Sequence, residues 1–592
     1  MFPVGKGHHD RLDELSLRPR MLLLHRVTMS WKLIQRAKKR LSEERGTIRK
    51  DWGAKTSLCL AFPNRYYTGM SNLGFQSLYN QLNQLQDIVC ERVFLPDREE
   101  RIEYRKTDTT LFSLESQRPL HDFDILAFSI PFENDYLNIL TILEMGKIPL
   151  LKTDRNDTHP LVIAGGVAVF LNPEPLSEFF HVFLIGEGEE LLPEFLKCFE
   201  EARTEGKTRL EFLEKVVAVE GTYVPQFYGV RYFAEGPIKS FTPRGNNPKR
   251  ITRRWVRDIN HIHTISTLFT PHTEFNDMAL IEVNRGCPRG CRFCAGCFTY
   301  RPFRNRAPEN LRKDIQEMLT QEKRIGMMGS AISDYPQLRE ICQSVLDSMG
   351  TLSIASLRAD AISEDLIAYL KASGHKTISL APEAGSERLR RVIKKDLQER
   401  DLLSAVETIV KTDIPNIRLY FIIGLPTETD RDIDEIIGLT KRIKHIFLKV
   451  GRNKKRLGRI TLSISPFIPK PSTPFQWAPY EDINSLKRKL KLIKNEVRGE
   501  GNVQVIHDLP KWGYIQTLLS RGDRRVGKIL LAAHNNGGNW QKTFKEINLN
   551  PDFYVYREMD LDEMLPWDFI DHGIDKDYLR REYLAALNEA KE

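Results

Sequence analysis

The sequence predicts an α/β protein of two domains, in which short apolar strands alternate with amphipathic helices. This alternation indicates parallel sheets, because a parallel connection needs a crossover as long as a helix. We expect a doubly wound Rossmann-like domain first, a partial (β/α)6 TIM barrel second and an α-rich C-terminal extension third. The predicted strands are 58–62, 93–95, 125–130, 161–164 and 182–185 in the first domain, and 279–284, 325–328, 352–355, 377–380, 417–423 and 460–464 in the barrel.

Shifts in composition place the boundaries between these parts. The first fifty residues are basic and patchy, and proline and glycine punctuate a basic stretch at 236–250 that is typical of an interdomain connection. The predicted parts are a basic extension 1–50, the Rossmann-like domain 51–205, a linker 206–275, the barrel 276–480 and the C-terminal extension 481–592.

The overall composition is ordinary for a globular protein, with 41% hydrophobic and 28% charged residues. No apolar run approaches the roughly 18 residues of a membrane span, and none is long enough for a signal-peptide core. The chain has eight cysteines, half of them in one short stretch, which indicates a reduced, cytoplasmic protein without a disulfide framework. The net charge of +9 permits an anionic substrate or RNA without indicating either.

The densest chemical signal is the stretch 281–306, where Cys287, Cys291 and Cys294 stand as Cys-x-x-x-Cys-x-x-Cys. Three thiolates on one loop can hold three irons of a 4Fe–4S cube and leave the fourth without a protein ligand. A further thiol, Cys297, makes a closed zinc site of four thiolates the alternative. Structural zinc sites usually pair two separated Cys-x-x-Cys knuckles, and the sequence has no separate second one. This favours the cluster, with Cys297 as a free thiol beside it.

The spacing of the three cysteines, with an aromatic residue directly before the third, resembles the signature of the radical S-adenosylmethionine (AdoMet) superfamily. The resemblance implies that AdoMet chelates the open iron. It also implies roles for residues that follow the barrel strands, where ligands bind in barrels of this kind. By this resemblance the AdoMet-binding residues are Phe293, Gly329, Ser330, Glu383, Ser386, Gly424 and Glu428.

These segments match the superfamily to different degrees. Residues 329–330 take the place of the glycine motif that receives the AdoMet amino group, but the usual Gly-Gly-Glu is absent, so only a backbone role carries over. Glu383 and Ser386 resemble the ribose and carboxylate segment, although Ser386 can equally cap the next helix. Residues 424–428 match the adenine-supporting Gly-x-x-x-Glu. Three arginines beyond the cysteines are predicted either to clamp an anion or to form surface salt bridges: Arg301, Arg304 and Arg306.

Two glycine loops of the first domain resemble the cobalamin-binding domain that precedes the barrel in a large subgroup of the superfamily. Tyr66 stands where the classical Asp-x-His-x-x-Gly motif has its cobalt-ligating histidine, and a phenol is a poor cobalt ligand. A corrin is therefore expected to bind without a histidine from this motif; the alternative is a Rossmann domain that binds nothing. The residues that the resemblance assigns to cobalamin are Tyr66, Gly69, Gly165, Gly166, Gly186, Glu187 and Gly188.

From about residue 50 to residue 583, including Ser-Arg-Gly-Asp-Arg-Arg at 520–525, the chain resembles an uncharacterised bacterial family that fuses a cobalamin-type domain to a radical AdoMet barrel. This implies cleavage of AdoMet to a 5′-deoxyadenosyl radical, with cobalamin-assisted methylation of an unactivated carbon as the leading reaction. Cobalamin-free oxidation, rearrangement or methylthiolation is one alternative, and an RNA- or ribosome-associated protein with a structural cluster is another. The implied partners are an unidentified substrate and a low-potential electron donor such as flavodoxin or ferredoxin, with RNA possible and no membrane.

Overall fold

The first domain is built on a mainly parallel sheet in this computed structural model, which describes residues 29–234, 236–276, 278–451 and 458–591. Its strands are β1 Thr56–Phe62, β2 Ile88–Phe94, β3 Ile125–Ser129, β4 Leu161–Gly165, β5 Val182–Leu184 and β6 Thr222–Tyr223. They lie in the order β2-β1-β3-β4-β5-β6, and only β6 is antiparallel to its neighbour. The five predicted strands are therefore confirmed. The parallel order 2-1-3-4-5 is a doubly wound sheet, in which ligands bind outside the carboxyl ends of the strands.

Helices separate these strands, as the alternating pattern predicted. They are α1 Trp31–Ser42, α2 Tyr66–Met70, α3 Leu73–Gln84, α4 Arg98–Thr107, α5 Tyr136–Met145, α6 Val167–Leu171, α7 Gly188–Thr204 and α8 Arg209–Val216. Every residue of β1 and β2 is buried, which is typical of a parallel sheet covered on both faces. Of the predicted basic extension, residues 1–28 lie outside the described residues.

The segment 206–275 corrects the prediction of a simple linker. Its first part, α8 and β6, completes the sheet of the first domain. A hairpin of β7 Tyr228–Tyr232 and β8 Ile238–Pro243 follows, and then the short strand β9 Ile251–Thr252. The proline and glycine residues that suggested a linker instead mark turns between these short elements.

The second domain is a partial barrel of parallel strands. Its strands are β10 Ala279–Arg285, β11 Arg304–Asn305, β12 Arg324–Gly329, β13 Thr351–Ile354, β14 Thr377–Glu383, β15 Asn416–Ile423, β16 Ile460–Pro466 and β17 Val503–His507. They form the sheets β11-β10-β12-β13 and β14-β15-β16-β17, joined by a parallel bridge between Leu357 and Leu380. The six predicted barrel strands are confirmed; β11 is a short antiparallel addition at the edge.

One strand extends the barrel beyond residue 480, where we predicted its end. β17 pairs in parallel with β16, so a segment assigned by sequence to the extension belongs to the barrel sheet. The half-buried pattern of β17 has a physical cause, because among the described strands it has a neighbour on one side only. Such an edge strand carries a weaker apolar signal than the central strands of the sheet.

The helices of the barrel complete the alternating pattern. They are α9 Gly296–Thr299, α10 Pro308–Leu319, α11 Leu338–Asp347, α12 Glu364–Ala372, α13 Glu387–Val392, α14 Glu399–Lys411, α15 Asp430–Gly451 and α16 Ile483–Val497. The C-terminal extension adds α17 Pro510–Arg521, α18 Val526–Asn535, α19 Trp540–Glu546, α20 Asp552–Val555, the strand β18 Ile570–Asp571 and α21 Lys576–Glu589. No helix within the described ranges combines the length and the apolarity that crossing a bilayer requires.

The extension folds back onto both domains. Asn172 of the first domain donates hydrogen bonds to the carbonyl oxygens of Ser520 (3.0 Å) and Gly522 (2.7 Å). Arg524 forms an ion pair with the buried Glu174 at 3.1 Å. The segment 520–525 therefore joins the extension to residues 172–175 of the first domain. Of its charged side chains, Arg524 makes the ion pair to that domain, whereas Asp523 and Arg525 pair with each other.

Candidate active site

The cysteine loop begins at the end of β10 and reverses direction at two glycines. Gly286 has a φ of +82° and Gly290 a φ of +80°, values that glycine adopts without steric cost. A Cβ on Gly286 would also collide with the carbonyl oxygen of Tyr300. The local sequence thus wraps the chain tightly enough to bring the three motif cysteines onto one short loop.

Cys297 is buried beside this loop. Its backbone N–H donates to the carbonyl oxygen of Cys294 at 3.1 Å, and only 2% of the residue is exposed. The neighbouring Cys297 thiol lowers the pKa of all three motif thiols, that of Cys287 to about 6, and its own pKa is raised. Three acidified thiols on a glycine-hinged loop fit the thiolate ligands of a 4Fe–4S cluster. Cys297 thus lies beside the motif cysteines as a free, buried thiol, and its role beside the cluster stays a prediction.

A helix distant in sequence holds the middle of this loop. The guanidinium of Arg292 donates to Glu582 (3.0 Å) and, through two nitrogens, to Glu589 (2.7 and 3.0 Å), both on α21. It also donates to the carbonyl oxygen of Val392 at 2.8 Å. Glu582 in turn pairs with Lys394 at 2.7 Å. The residue between two of the candidate cluster ligands is therefore fixed by the C-terminal extension.

The end of β12 places residues 329–330 beside β10. Asn284 accepts a hydrogen bond from the backbone N–H of Ala331 (3.2 Å) and donates one to its carbonyl oxygen (2.8 Å). A Cβ on Gly329 would lie 2.5 Å from the side-chain oxygen of Asn284. Only glycine permits this contact, and the backbone of Ser330 remains at the strand end, where a backbone role in AdoMet binding was predicted.

The predicted ribose segment follows β14. Glu383 has a φ of +66° and forms an ion pair with Lys395 at 3.1 Å. Burial raises the pKa of Glu383, and Lys395 opposes that rise. The same lysine helps to lower the pKa of Cys291. A cation therefore lies between the cysteine loop and Glu383, which remains a candidate for binding AdoMet.

Ser386 serves as a helix cap. Its hydroxyl accepts a hydrogen bond from the backbone N–H of Leu389 at 3.1 Å and donates one to the carboxylate of Asp432. Asp432 also accepts from Arg388 and from the backbone N–H of Thr429. Because both hydrogen-bonding functions of the hydroxyl are already engaged, the capping interpretation of Ser386 accounts for the residue better than AdoMet binding does.

Glu428 supports the loop after β15. One carboxylate oxygen accepts from the backbone N–H of Gly424 at 2.8 Å and pairs with Lys489 at 2.7 Å. The other oxygen is buried without a hydrogen-bond partner among the described residues. Burial raises the pKa of Glu428 to about 7, against the opposing effect of Lys489. Gly424 has a φ of +79°, which glycine adopts without steric cost. Because the Glu428 carboxylate accepts from its backbone N–H, the two ends of the predicted Gly-x-x-x-Glu are held together.

A cavity of about 480 Å³ lies between the two domains. This volume is within the range of small-molecule sites. Apolar side chains of the first domain, among them Leu60, Phe128 and Leu192, form much of its wall. The predicted site residues that line it are Gly165, Gly166, Gly186, Glu187 and Gly188 from the first domain and Gly329 and Ser330 from the barrel. The cavity therefore connects the carboxyl ends of both sheets.

Glu187 lies at the junction of these domains. Its buried carboxylate accepts two hydrogen bonds from Arg304 (2.7 and 2.9 Å) and one from Arg285 (2.9 Å). The backbone N–H of Val256 donates a further one at 3.0 Å. The arginines keep the pKa of Glu187 below its usual value despite burial. Glu187 thus joins the glycine loop of the first domain to Arg285 before the cysteines and to Arg304 after them. Arg304 is therefore engaged in a buried ion pair and does not serve as an anion clamp.

Tyr66 and Gly69 lie outside the cavity, contrary to their assignment to cobalamin. The Tyr66 hydroxyl donates to Glu44 at 2.5 Å, and Glu44 pairs with the fully buried Arg92. Gly69 packs against the ring of Phe94, where a Cβ would lie 2.5 Å away. The helix α2 carries both residues into the core, and the same loop reaches the cavity only later, at Asn72 and Gly74.

Several cavity residues were not found from the sequence. Arg285 and Tyr300 flank the cysteine loop, and Glu189 and Glu282 both pair with Arg285, at 2.7 and 2.8 Å. The available signal was the charge pattern: two acidic residues in the Gly-Glu-Gly-Glu loop, and an arginine directly before Gly286. Their meeting requires the docking of two domains, which no local pattern indicates.

Comparison with known proteins identifies the family. The model of the radical SAM superfamily matches residues 281–440, and that of radical SAM proteins, N-terminal, matches residues 74–225. The uncharacterized protein MJ0966 of Methanocaldococcus jannaschii is 31% identical over 480 residues, which cover 80% of this chain and 90% of that protein. This chain belongs to the radical SAM superfamily. Radical SAM proteins of this kind are enzymes that use a 4Fe–4S cluster and AdoMet and need a reductant.

Other similarities cover less of the chain or are more distant. The tRNA-2-methylthio-N(6)-dimethylallyladenosine synthase of Bacillus cytotoxicus is 25% identical over 180 residues, which are 28% of this radical SAM chain and 35% of that protein. The cobalamin-dependent AdoMet radical enzyme OxsB, solved with aqua-cobalamin and AdoMet, aligns with a TM-score of 0.43 and 13% identity over 91% of this chain and 79% of its own. The radical AdoMet methyltransferase TsrM from Kitasatospora setae aligns with a TM-score of 0.43 and 12% identity over 69% of this chain and 73% of its own.

Proposed function

We propose that this radical SAM enzyme methylates an unactivated carbon with the help of a corrin bound between its two domains. The observation that carries the proposal is the shared cavity, whose lining includes the glycine loops of the doubly wound domain and residues 329–330 of the barrel. A corrin at the carboxyl ends of the first sheet would thus face AdoMet at the carboxyl ends of the second. Such adjacency is what a relay of a methyl group between two cofactors requires.

The residues of the cavity suit such a ligand chemically. Gly165 leaves space at its strand end, whereas Gly166 and Gly186 permit close backbone contacts with Ile130 and Arg254 that shape the cavity's edge. In particular, a Cβ on Gly165 would meet nothing closer than 3.6 Å. The apolar walls exclude water from a reactive centre. The cluster and the corrin would supply the redox chemistry and the methyl carrier, whereas these residues bind, orient and shield.

The proposal extends to the ligand sets and partners. Cys287, Cys291 and Cys294 would hold the cluster, Glu383 and the Gly424 loop would contact AdoMet, and flavodoxin or ferredoxin would deliver electrons. The reduced thiols agree with a cytoplasmic location. Membership in the superfamily favours an enzyme over the alternative of a structural cluster in an RNA-associated protein.

Cofactor content under anaerobic conditions tests the proposal. Protein reconstituted with iron, sulfide and hydroxocobalamin should retain one corrin per chain after gel filtration. Its cob(II)alamin spectrum in electron paramagnetic resonance should lack nitrogen splitting from a protein histidine. An intact cluster that cleaves AdoMet without any retained corrin would instead support the cobalamin-free alternative, an oxidation, rearrangement or methylthiolation.

A further inference from the structure

A row of cations lies along one flank of α16. Lys487, Lys491, Lys494 and Arg498 are all exposed and follow one another at spacings of four, three and four residues, which places them on one side of the helix. The buried face is separate and apolar, with Leu486, Leu490, Ile493 and Val497. The ion pairs of this helix involve Arg488 and Lys489 instead. Within the described part of the chain, the four cations of the row pair with no carboxylate.

This flank faces the outer strand of the barrel. The ammonium nitrogen of Lys494 lies 2.6 Å from the Nε2 atom of His507, the end residue of β17. Beyond that strand end, two large apolar side chains are exposed, Leu509 to 49% and Trp512 to 45%. Scattered exposed apolar residues are normal, but here a leucine and an indole follow the strand end that Lys494 contacts.

The position of this surface relates it to the active site. β14, β15, β16 and β17 run in parallel, so their carboxyl ends lie at one edge of the sheet. Leu509 and Trp512 follow β17 at that edge, at the N-cap and in the first turn of α17, as the Glu383 and Gly424 segments follow β14 and β15. A polymer held there would lie at the rim of the face on which the chemistry takes place.

We propose that this α16–β17 surface, formed by Lys487, Lys491, Lys494, Arg498, Leu509 and Trp512, binds single-stranded RNA. The cations suit a phosphate backbone, and an exposed indole offers a platform on which an unstacked base can lie. The ammonium of Lys511 lies 5.5 Å from the centre of the Trp512 ring, so the indole and a cation stand together. That pairing suits a nucleotide, which offers both a base and a phosphate, better than an acidic protein, which offers only the charge. The inference names RNA as the substrate class of the proposed methylation and rests on that proposal for its chemistry.

Direct binding measurements test the surface. Fluorescence anisotropy with a labelled RNA hairpin that has a single-stranded loop, on full-length protein without AdoMet or corrin, should give saturable binding. The triple variant Lys487→Gln/Lys491→Gln/Lys494→Gln should bind at least about tenfold more weakly, with a salt-dependence slope smaller by about 2, since each contact to single-stranded RNA contributes roughly 0.7. Trp512→Ala should bind about fivefold or more weakly and leave the salt slope unchanged, because stacking involves no counterion release.

The matched control replaces three exposed lysines elsewhere, Lys106→Gln/Lys313→Gln/Lys323→Gln. It makes the same change in net charge and should keep the affinity of the unaltered protein. Equal losses in both triple variants, failure of the unaltered protein to bind RNA, or equal affinity for a fully paired DNA duplex would each overturn the proposal.

Two further readouts separate this inference from the function on which it rests. If flavodoxin reduces the Lys487→Gln/Lys491→Gln/Lys494→Gln variant more slowly while its RNA affinity is unchanged, the surface binds the electron donor and the RNA proposal is wrong. Corrin retention is measured independently, so a protein that retains corrin but does not bind RNA contradicts only the surface. A protein that binds RNA but retains no corrin contradicts only the cobalamin-assisted reaction.

Discussion

Glu589 holds Arg292 through two parallel hydrogen bonds, of 2.7 and 3.0 Å, across 297 residues of sequence. The arginine lies between the ligand candidates Cys291 and Cys294, so this ion pair fixes the cysteine loop relative to α21. Glu582 makes a further bond to the same guanidinium. A bidentate pair of this kind fixes orientation as well as distance.

We expect Glu582→Gln/Glu589→Gln to loosen the cysteine loop. The cost should be on the order of 1 kcal/mol, because both carboxylates are partly exposed and solvent screens them. Release of iron to a chelator should then become about fivefold faster. Asp577→Asn on the same helix is the control, since Asp577 contacts Arg580 and not the loop. Iron release at the unaltered rate in the double variant would show that α21 does not stabilise the cluster loop.

The cysteines should separate into two classes. Cys287→Ala, Cys291→Ala and Cys294→Ala should each lose the cluster, because each removes one of the three required ligands. Cys297→Ala should retain it, because Cys297 lies outside the Cys-x-x-x-Cys-x-x-Cys spacing that supplies three ligands. Iron and sulfide analysis of reconstituted variants decides this. Loss of iron in the Cys297 variant would make that thiol a ligand, and zinc in place of iron would refute the cluster.

Ser386→Ala should affect stability and not AdoMet affinity. The hydroxyl caps α13 and donates to Asp432, so its removal should cost about 0.5–2 kcal/mol of unfolding free energy. Equilibrium dialysis with AdoMet on the folded variant should give the affinity of the unaltered protein. A large loss of affinity without any loss of stability would restore the original prediction that Ser386 binds AdoMet.

Glu428 should make stability depend on pH in a defined window. Its pKa is raised to about 7 by burial, whereas an unfolded glutamate titrates near about 4.3. The folded state therefore holds the proton more tightly, and this contribution falls as pH rises from about 4.3 to about 7. Glu428→Gln should remove that dependence, so the thermal midpoint of the variant relative to the unaltered protein should be higher at pH 8 than at pH 5. The same difference in thermal midpoint at pH 5 and pH 8 would contradict the raised pKa of Glu428.

The regular parts of the fold were accessible from the sequence because their signals are local. β15 was predicted as 417–423 and observed as Asn416–Ile423, since an apolar run between helical segments leaves few alternatives. β17 lies beyond the predicted end of the barrel, because its place there depends on pairing with β16, which no single strand specifies. The linker prediction failed for a similar reason: short strands such as β9 are stabilised by a distant partner, β18.

The candidate site divides in the same way. The cysteine spacing and the glycines could be found in the sequence because the chemistry demands those residue types at fixed separations. Tyr66 was misplaced because a motif position does not specify the direction of a side chain, and Glu44 and Arg92 draw its hydroxyl into the core. The hydrogen bonds of Arg292 to Glu582 and of Glu187 to Arg285 join residues 290 and 98 positions apart. Local periodicity cannot predict contacts that form only when distant segments dock.

The most direct test of the account is corrin retention when the shared cavity is filled. Gly165→Val adds a side chain at a strand end that lines the cavity, where a Cβ meets nothing closer than 3.6 Å, so folding should survive. The control is Gly229→Val in β7, a strand glycine outside the cavity whose Cβ has 3.9 Å of space. After anaerobic reconstitution with hydroxocobalamin, the unaltered protein and Gly229→Val should each retain one corrin per chain by absorbance, and Gly165→Val should retain little while keeping its iron. Equal retention in all three proteins, or in none, would contradict a corrin site between the two domains.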